Sequence, residues 1–225
     1  YSRESGQKVL LMADNTYLGP LWQKPLDLGV DLVLYSATKY LAGHSDLVAG
    51  AVMGHSEHLQ KVKSHRAALG STADPHTAWL LTRSLETLFL RMEKQAQNAR
   101  VLADFLQGAE QVSKVFYLGH LAGRSAAEQL LIQKQCPGAG AMLAVDLETE
   151  ARAFRFLNAL EVFQLAVSLG STESLAQHPA TMTHAGVDSK TRDRYGIGPG
   201  LVRLSIGVEA VEDLQTDLAR GLAAL

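Results

Sequence analysis

Lys39 stands in the run Tyr35-Ser36-Ala37-Thr38-Lys39-Tyr40-Leu41-Ala42-Gly43-His44-Ser45-Asp46, just past an apolar segment and among hydroxyls. An amine so placed is suited to covalent chemistry on a carbonyl. For that it must be partly neutral, and burial or a nearby positive charge achieves this by lowering its pKa. Asp14 closes a second apolar segment, in Met12-Ala13-Asp14-Asn15-Thr16-Tyr17. A carboxylate there could hold a protonated pyridine nitrogen and make the ring an electron sink; the alternative is a cap on the turn begun by Asn15 and Thr16. Ser36 and Thr38 alternate with Ala37. On an extended backbone their hydroxyls leave one side and could bond one phosphate, or else satisfy nearby backbone groups.

Farther along, Ser168-Leu169-Gly170-Ser171-Thr172-Glu173-Ser174 is dense in hydroxyls and glycine directly after an apolar segment. Arg203 interrupts the apolar run Leu201-Val202-Arg203-Leu204-Ser205-Ile206. A guanidinium there is costly to bury unless it meets an anion, and its planar fork suits a carboxylate; a structural salt bridge is the other reading. The eight histidines include no pair beside a carboxylate or cysteine set at zinc spacing, so no metal is expected. Cys136 precedes Pro137-Gly138 in a turn with nothing nearby to activate it. A lysine, a carboxylate and paired hydroxyls at two strand ends point to pyridoxal phosphate chemistry.

These residues need a scaffold. Val9 to Ala13 and Leu32 to Tyr35 are nearly continuous apolar runs, the pattern of strands buried on both faces of a parallel sheet. About sixteen residues between Asp14 and Asp31 suffice for the crossover that parallel strands require. Ligands of such sheets gather beyond the carboxyl ends of the strands, where Asp14 and Lys39 both lie. Leu47 to Met53 predicts a further strand, and Ser56 to Leu69 a helix stopped by Gly70. One long helix is expected from the Asp74 cap to Gly108, with Leu81, Leu85, Leu88, Met92, Ala96, Ala99, Leu102 and Leu106 on its apolar face. Beyond it, strands are expected at Val112 to Leu118, Ala141 to Leu147, Val162 to Leu169 and Leu201 to Ile206, with a helix at Glu148 to Leu160. A closing helix from about Ala210 carries Leu214, Leu218 and Leu222 on one face. The pattern divides the chain into residues 1–85, a parallel-sheet part, and 86–225, a linking helix with a smaller α+β domain.

With 225 residues, 47% of them hydrophobic, the chain can bury a sizeable core. Its 21 basic and 23 acidic residues are spread along the chain, giving no electrostatic reason to expect nucleic acid or an anionic membrane. A small-molecule partner fits better. One cysteine cannot build a disulfide framework, and no apolar run reaches the roughly 18 residues of a membrane span. A cytoplasmic location is expected. The chain opens at Tyr1 on polar residues leading straight into a strand, without a signal-peptide pattern, and reads as a fragment lacking its beginning.

At this point the sequence resembles the Cys/Met-metabolism pyridoxal phosphate enzymes: cystathionine synthases and lyases, methionine gamma-lyases and O-acylhomoserine sulfhydrylases. The resemblance rests on Asp14-Asn15-Thr16, Ser36-Ala37-Thr38-Lys39-Tyr40, Gly43-His44-Ser45-Asp46, Ser168-Leu169-Gly170 with Glu173-Ser174-Leu175, His178-Pro179-Ala180-Thr181-Met182-Thr183-His184, and Leu201 through Gly207. It covers nearly the whole chain. It implies an α/β fold of the type I, aspartate aminotransferase-like class, here the end of the large cofactor domain plus the small C-terminal domain. It further implies that Lys39 holds pyridoxal 5'-phosphate, Asp14 pairs with its ring nitrogen, Ser36 and Thr38 bind its phosphate, and Ser168 and Arg203 hold the substrate carboxylate. The family's earlier half, with its stacking tyrosine and phosphate loop, has no counterpart here. A homodimer or homotetramer with shared active sites is implied, acting on a small sulfur-containing L-amino acid.

Many cystathionine-processing members carry glutamate before the serine matching Ser168, where this chain has Val167. That favours methionine gamma-lyase-like alpha,gamma-elimination, because no acid remains for a distal amino group. Cystathionine chemistry and gamma-replacement on an activated homoserine stand as alternatives, as does an inactive relative serving as an assembly module. Tyr117-Leu118-Gly119-His120 departs from the family's tyrosine-proline-glycine and should reshape a loop away from the carboxylate site.

Overall fold

The computed structural model describes residues 9–225, so the polar opening from Tyr1 lies outside the described residues. Its first sheet is built from β1 (Met12–Asp14), β2 (Leu32–Ser36) and β3 (Gly50–Gly54) in that order. β1 and β2 run parallel, with Asp14 opposite Leu34, so Asp14 and the end of β2 emerge at the same edge. The crossover between them holds α1 (Gly19–Trp22) and a short 3-10 turn (Pro25–Leu28). β3 returns antiparallel, placing Ser36 opposite Gly50.

Two strand expectations need correction. β2 is buried as expected, but Leu11 and Met12 are 56% and 63% exposed at the start of β1, the edge strand of its sheet. The run from Leu47 joins β3 only at Gly50, since Thr38 engages both backbone groups of Ala49 and holds that segment as a loop.

α2 (Ser56–Leu69) ends as expected on Gly70, whose φ of 69° is the left-handed conformation glycine adopts freely. The expected long helix is two: α3 (Pro75–Leu85), capped by Asp74 through the amides of His76 and Thr77, and α4 (Leu88–Gln107). The break is local. Glu86 and Thr87 turn their amides to the i−3 carbonyls of Arg83 and Ser84, and the Ser84 carbonyl also accepts from Arg91 at 2.9 Å.

A five-stranded sheet follows, in the order β4 (Lys114–Tyr117), β5 (Met142–Asp146), β8 (Leu201–Ser205), β7 (Leu175–Gln177) and β6 (Gln164–Leu165). Between these strands lie α5 (Ala126–Gln135), opened by a Ser125–Glu128 capping box, α6 (Glu150–Ala159) and α7 (Ser189–Arg194). α8 (Val211–Ala223) closes the chain. Strand alternation sends Val115, Tyr117, Leu143, Val145, Val202 and Leu204 into the core with Phe156, Leu214 and Leu218. Arg203 leaves the opposite face, in the cross-strand row Phe116, Ala144, Arg203, Gln177.

The strand expected at Val162 to Leu169 shrinks to two paired residues. Its first amides are taken instead by the buried Asp217 carboxylate, which accepts from Glu161, Val162 and Phe163 at 2.8, 2.9 and 2.9 Å. Phe156, on α6, is fully buried against Gly221 of α8. Phe156→Ala is expected to remove about 3–5 kcal/mol of unfolding free energy, read as a fall in the urea midpoint without a change in slope. Among the described residues no helix is long and apolar enough to cross a membrane.

Candidate active site

Asp14, Thr16, Tyr17, Ser36, Lys39, Val167, Ser168, Leu169, Thr183 and Arg203 line one cleft of about 590 Å³ between the carboxyl ends of β1 and β2 and the exposed-row face of the five-stranded sheet. Of the residues singled out in sequence, Asp14, Ser36, Lys39, Ser168 and Arg203 therefore meet. Thr38 does not join them. It lies past the end of β2 and lines an adjoining depression that shares Val167 and Ser168. Its hydroxyl donates to the Ala49 carbonyl at 3.3 Å and accepts from the Ala49 amide at 3.0 Å.

Asp14 is oriented by its neighbour. Its Oδ1 accepts from the Thr16 amide at 3.0 Å and the Thr16 hydroxyl at 2.6 Å, and that hydroxyl accepts from the Ser36 amide at 2.8 Å. Thr16 thus ties the ends of β1 and β2 together. Among the described residues nothing donates to Oδ2, which is left for a ligand or solvent.

Lys39 sits in the turn after β2 and directs its Nζ to Ser168 Oγ at 2.7 Å. Burial first, and the positive charge of Arg203 second, hold its amine below the usual lysine value of 10.5. Arg203 donates from Nη2 to the Ser168 carbonyl at 2.6 Å and from Nη1 to the Tyr17 hydroxyl at 3.2 Å. Its Nε is buried and has no partner among the described residues, a donor open to an acceptor. Ser168 joins the two cations, hydroxyl toward one and carbonyl toward the other, at a φ of 98° that serine rarely adopts. Two residues on, Gly170 has a φ of +77°, and a Cβ there would stand 2.8 Å from the Tyr40 nitrogen. Glycine lets the Ser168 loop lie directly on the lysine turn.

Tyr17 and Thr183 escaped the sequence reading. Tyr17 does follow Asp14-Asn15-Thr16, and that proximity was its one signal. Thr183 reaches the cleft from the loop after β7, where its hydroxyl accepts from Gln177 Nε2 at 3.0 Å. No group of three or more His, Cys, Asp and Glu side chains that could hold a metal occurs among the described residues. Cys136 is free, and burial pushes its thiol pKa up.

The donor set suits pyridoxal 5'-phosphate. A carboxylate with a free oxygen, an amine of lowered pKa and a serine hydroxyl line the wall of one cleft, matching a ring nitrogen, a carbonyl and a phosphate. Comparison with known proteins agrees. Residues 2–223 match the family model described as Cys/Met metabolism PLP-dependent enzyme. The chain is 45% identical over 226 residues to L-methionine gamma-lyase of Pseudomonas putida, covering 99% of this chain and 56% of that protein. It is 44% identical over 215 residues to cystathionine beta-lyase of Lactococcus lactis subsp. cremoris (strain MG1363), covering 95% and 56%. The structure of cystathionine gamma synthase from Xanthomonas oryzae pv. oryzae in complex with cystathionine superposes with a TM-score of 0.91 at 43% identity, covering 99% of this chain and 57% of that one. The chain spans a little over half the length of these relatives, and it has the α/β fold of their type I class. By the match of residues 2–223 to the family model, the chain belongs to the Cys/Met metabolism PLP-dependent enzymes.

Proposed function

We propose that the protein is a carbon–sulfur lyase acting on a sulfur-containing L-amino acid by alpha,gamma-elimination. The observation that carries this reading is the meeting of Lys39 Nζ, Ser168 and the open Nε of Arg203 in one cleft. In this reading Lys39 carries the cofactor, Asp14 Oδ2 accepts from its ring nitrogen, and Ser36 and Thr38 take its phosphate, Thr38 by turning its hydroxyl proton from the Ala49 carbonyl 3.3 Å away. Pyridoxal 5'-phosphate, when bound, supplies an electron sink for negative charge at the substrate α-carbon. Residues 1–85 would complete the cofactor domain and 86–225 form the linking helix and small domain.

Arg203 donates from Nε to the substrate carboxylate, and Ser168 lines the same position. With the carboxylate fixed, the α-carbon is held near Lys39. Once the substrate's amino group has displaced it, the amine of Lys39, neutral at lower pH than an ordinary lysine, would take the proton from the α-carbon and then move protons at the β-carbon. Loss of the γ-thiol and uptake of one water complete the balance: L-methionine and water give 2-oxobutanoate, ammonia and methanethiol. Val167, half exposed in the cleft wall, offers an apolar surface to a thioether and no acid to a distal ammonium.

The likeness to a cystathionine gamma synthase supports a second reading, gamma-replacement joining an activated homoserine to a thiol through the same side chains. A homodimer or homotetramer in the cytoplasm belongs to either reading. The deciding experiment incubates the intact, cofactor-loaded gene product with L-methionine alone and measures 2-oxobutanoate and methanethiol together. Both products are expected. Neither product, from protein that retains the visible absorption of bound cofactor, would overturn the elimination reading in favour of replacement or cystathionine chemistry.

A further inference from the structure

Arg91 is 94% buried on α4, yet among the described residues no carboxylate meets it. Its guanidinium donates to backbone carbonyls: Nη1 to Tyr40 at 2.9 Å, Nη2 to Ser84 at 2.9 Å and to Leu41 at 3.5 Å, with Nε on the Thr87 hydroxyl at 3.1 Å. Tyr40 and Leu41 directly follow Lys39. The turn they belong to closes on Gly43, where a Cβ would fall 1.9 Å from Arg91 Nη1. Glycine at 43 is therefore what admits the guanidinium. One helical turn on, buried Gln95 donates to the Ser171 carbonyl at 2.6 Å. Asn98 donates to the Gly207 and Glu209 carbonyls at 3.1 and 2.9 Å. Spacings of four and three put all three side chains on one stripe of α4.

We propose that Arg91 is a positioning residue for Lys39, and that the stripe Arg91, Gln95, Asn98 holds the lysine turn in fixed relation to the loop bearing Ser168 and to the segment that follows β8, the strand of Arg203. A buried cation without a counter-ion is retained at a cost of desolvation. Here its return is geometric, since one rigid planar fork gathers the carbonyl of the lysine turn and that of the helix break. A lysine at 91 would be a single point charge and could not span both. The proposal rests on the catalytic reading of Lys39 given above.

The test uses the intact, cofactor-loaded protein and the variants Arg91→Met and Arg91→Lys. Hydrogen exchange is read at the Ala42 and Gly43 amides, which donate to Ala37 and Lys39 at 2.9 and 2.7 Å. Exchange there is expected to rise about tenfold or more in both variants, with the Leu102 and Leu106 amides of the same helix unchanged. With L-methionine as substrate, kcat is expected to fall by about tenfold to a hundredfold while KM stays within about threefold. Unchanged exchange at Ala42 and Gly43, or an equal rise throughout α4, overturns the proposal, as does a change confined to KM. Should Arg91→Met fail to fold, Arg91→Lys is judged by the same measurements. Exchange does not depend on turnover: an inactive wild type sinks the function proposed above, whereas unaltered exchange in an active protein sinks the role of Arg91 alone.

Discussion

Lys39→Ala is expected to lower turnover of the sulfur amino acid by about 10³-fold or more, the scale of losing a positioned group that both bonds to a carbonyl and transfers protons. Among the described residues of the cleft no other amine is present to replace it. Single-turnover assays with L-methionine check this, and near wild-type turnover would remove Lys39 from the mechanism. Its lowered pKa has a second consequence, with a definite sign. Between the folded value and the ordinary 10.5, the unfolded chain binds more protons at this site than the folded one, so stability rises with pH across that window. Below the window the charged amine is a liability to the fold. Lys39→Met, which keeps an apolar stem, should therefore raise Tm at pH 7 in protein without cofactor, and the gain should vanish as pH approaches 10.5.

Arg203→Met should raise KM for the amino acid by about a hundredfold, the measure of a charge-assisted pair lost from a carboxylate. It should also shift the acid limb of the kcat profile to higher pH. The guanidinium favours the neutral form of Lys39, so removing it raises the pKa of the amine, while burial, the larger cause, keeps it below 10.5. Arg203→Lys separates the two effects. Its charge holds the limb near the wild-type position, and its loss of the planar fork still raises KM. A limb that stays in place in Arg203→Met would show that the two cations do not communicate.

Much of the cleft was legible because strand ends advertise their chemistry: an amine, a carboxylate and a guanidinium each interrupt or close an apolar run, as Lys39, Asp14 and Arg203 do. What escaped depends on partners distant in sequence. The strand expected through Leu169 was shortened by Asp217, from 54 to 56 residues away. Thr38 looked equivalent to Ser36 on an extended backbone, but β2 ends between them and Ala49 claims the threonine. Arg91, Gln95 and Asn98 border an apolar stripe, where polar residues read as the solvated margin of a helix; their acceptors are loop carbonyls that no local pattern announces.

The contact between Lys39 and Ser168 spans 129 residues of chain. The lysine turn thus acquires its partner only after β4, β5 and the Ser168 loop exist, and joining such remote segments carries a loop-closure cost that slows folding. Cofactor capture should accordingly be a late event in refolding. The visible absorption of bound pyridoxal phosphate would then lag behind the recovery of helix, marking the moment when the two sheets come together.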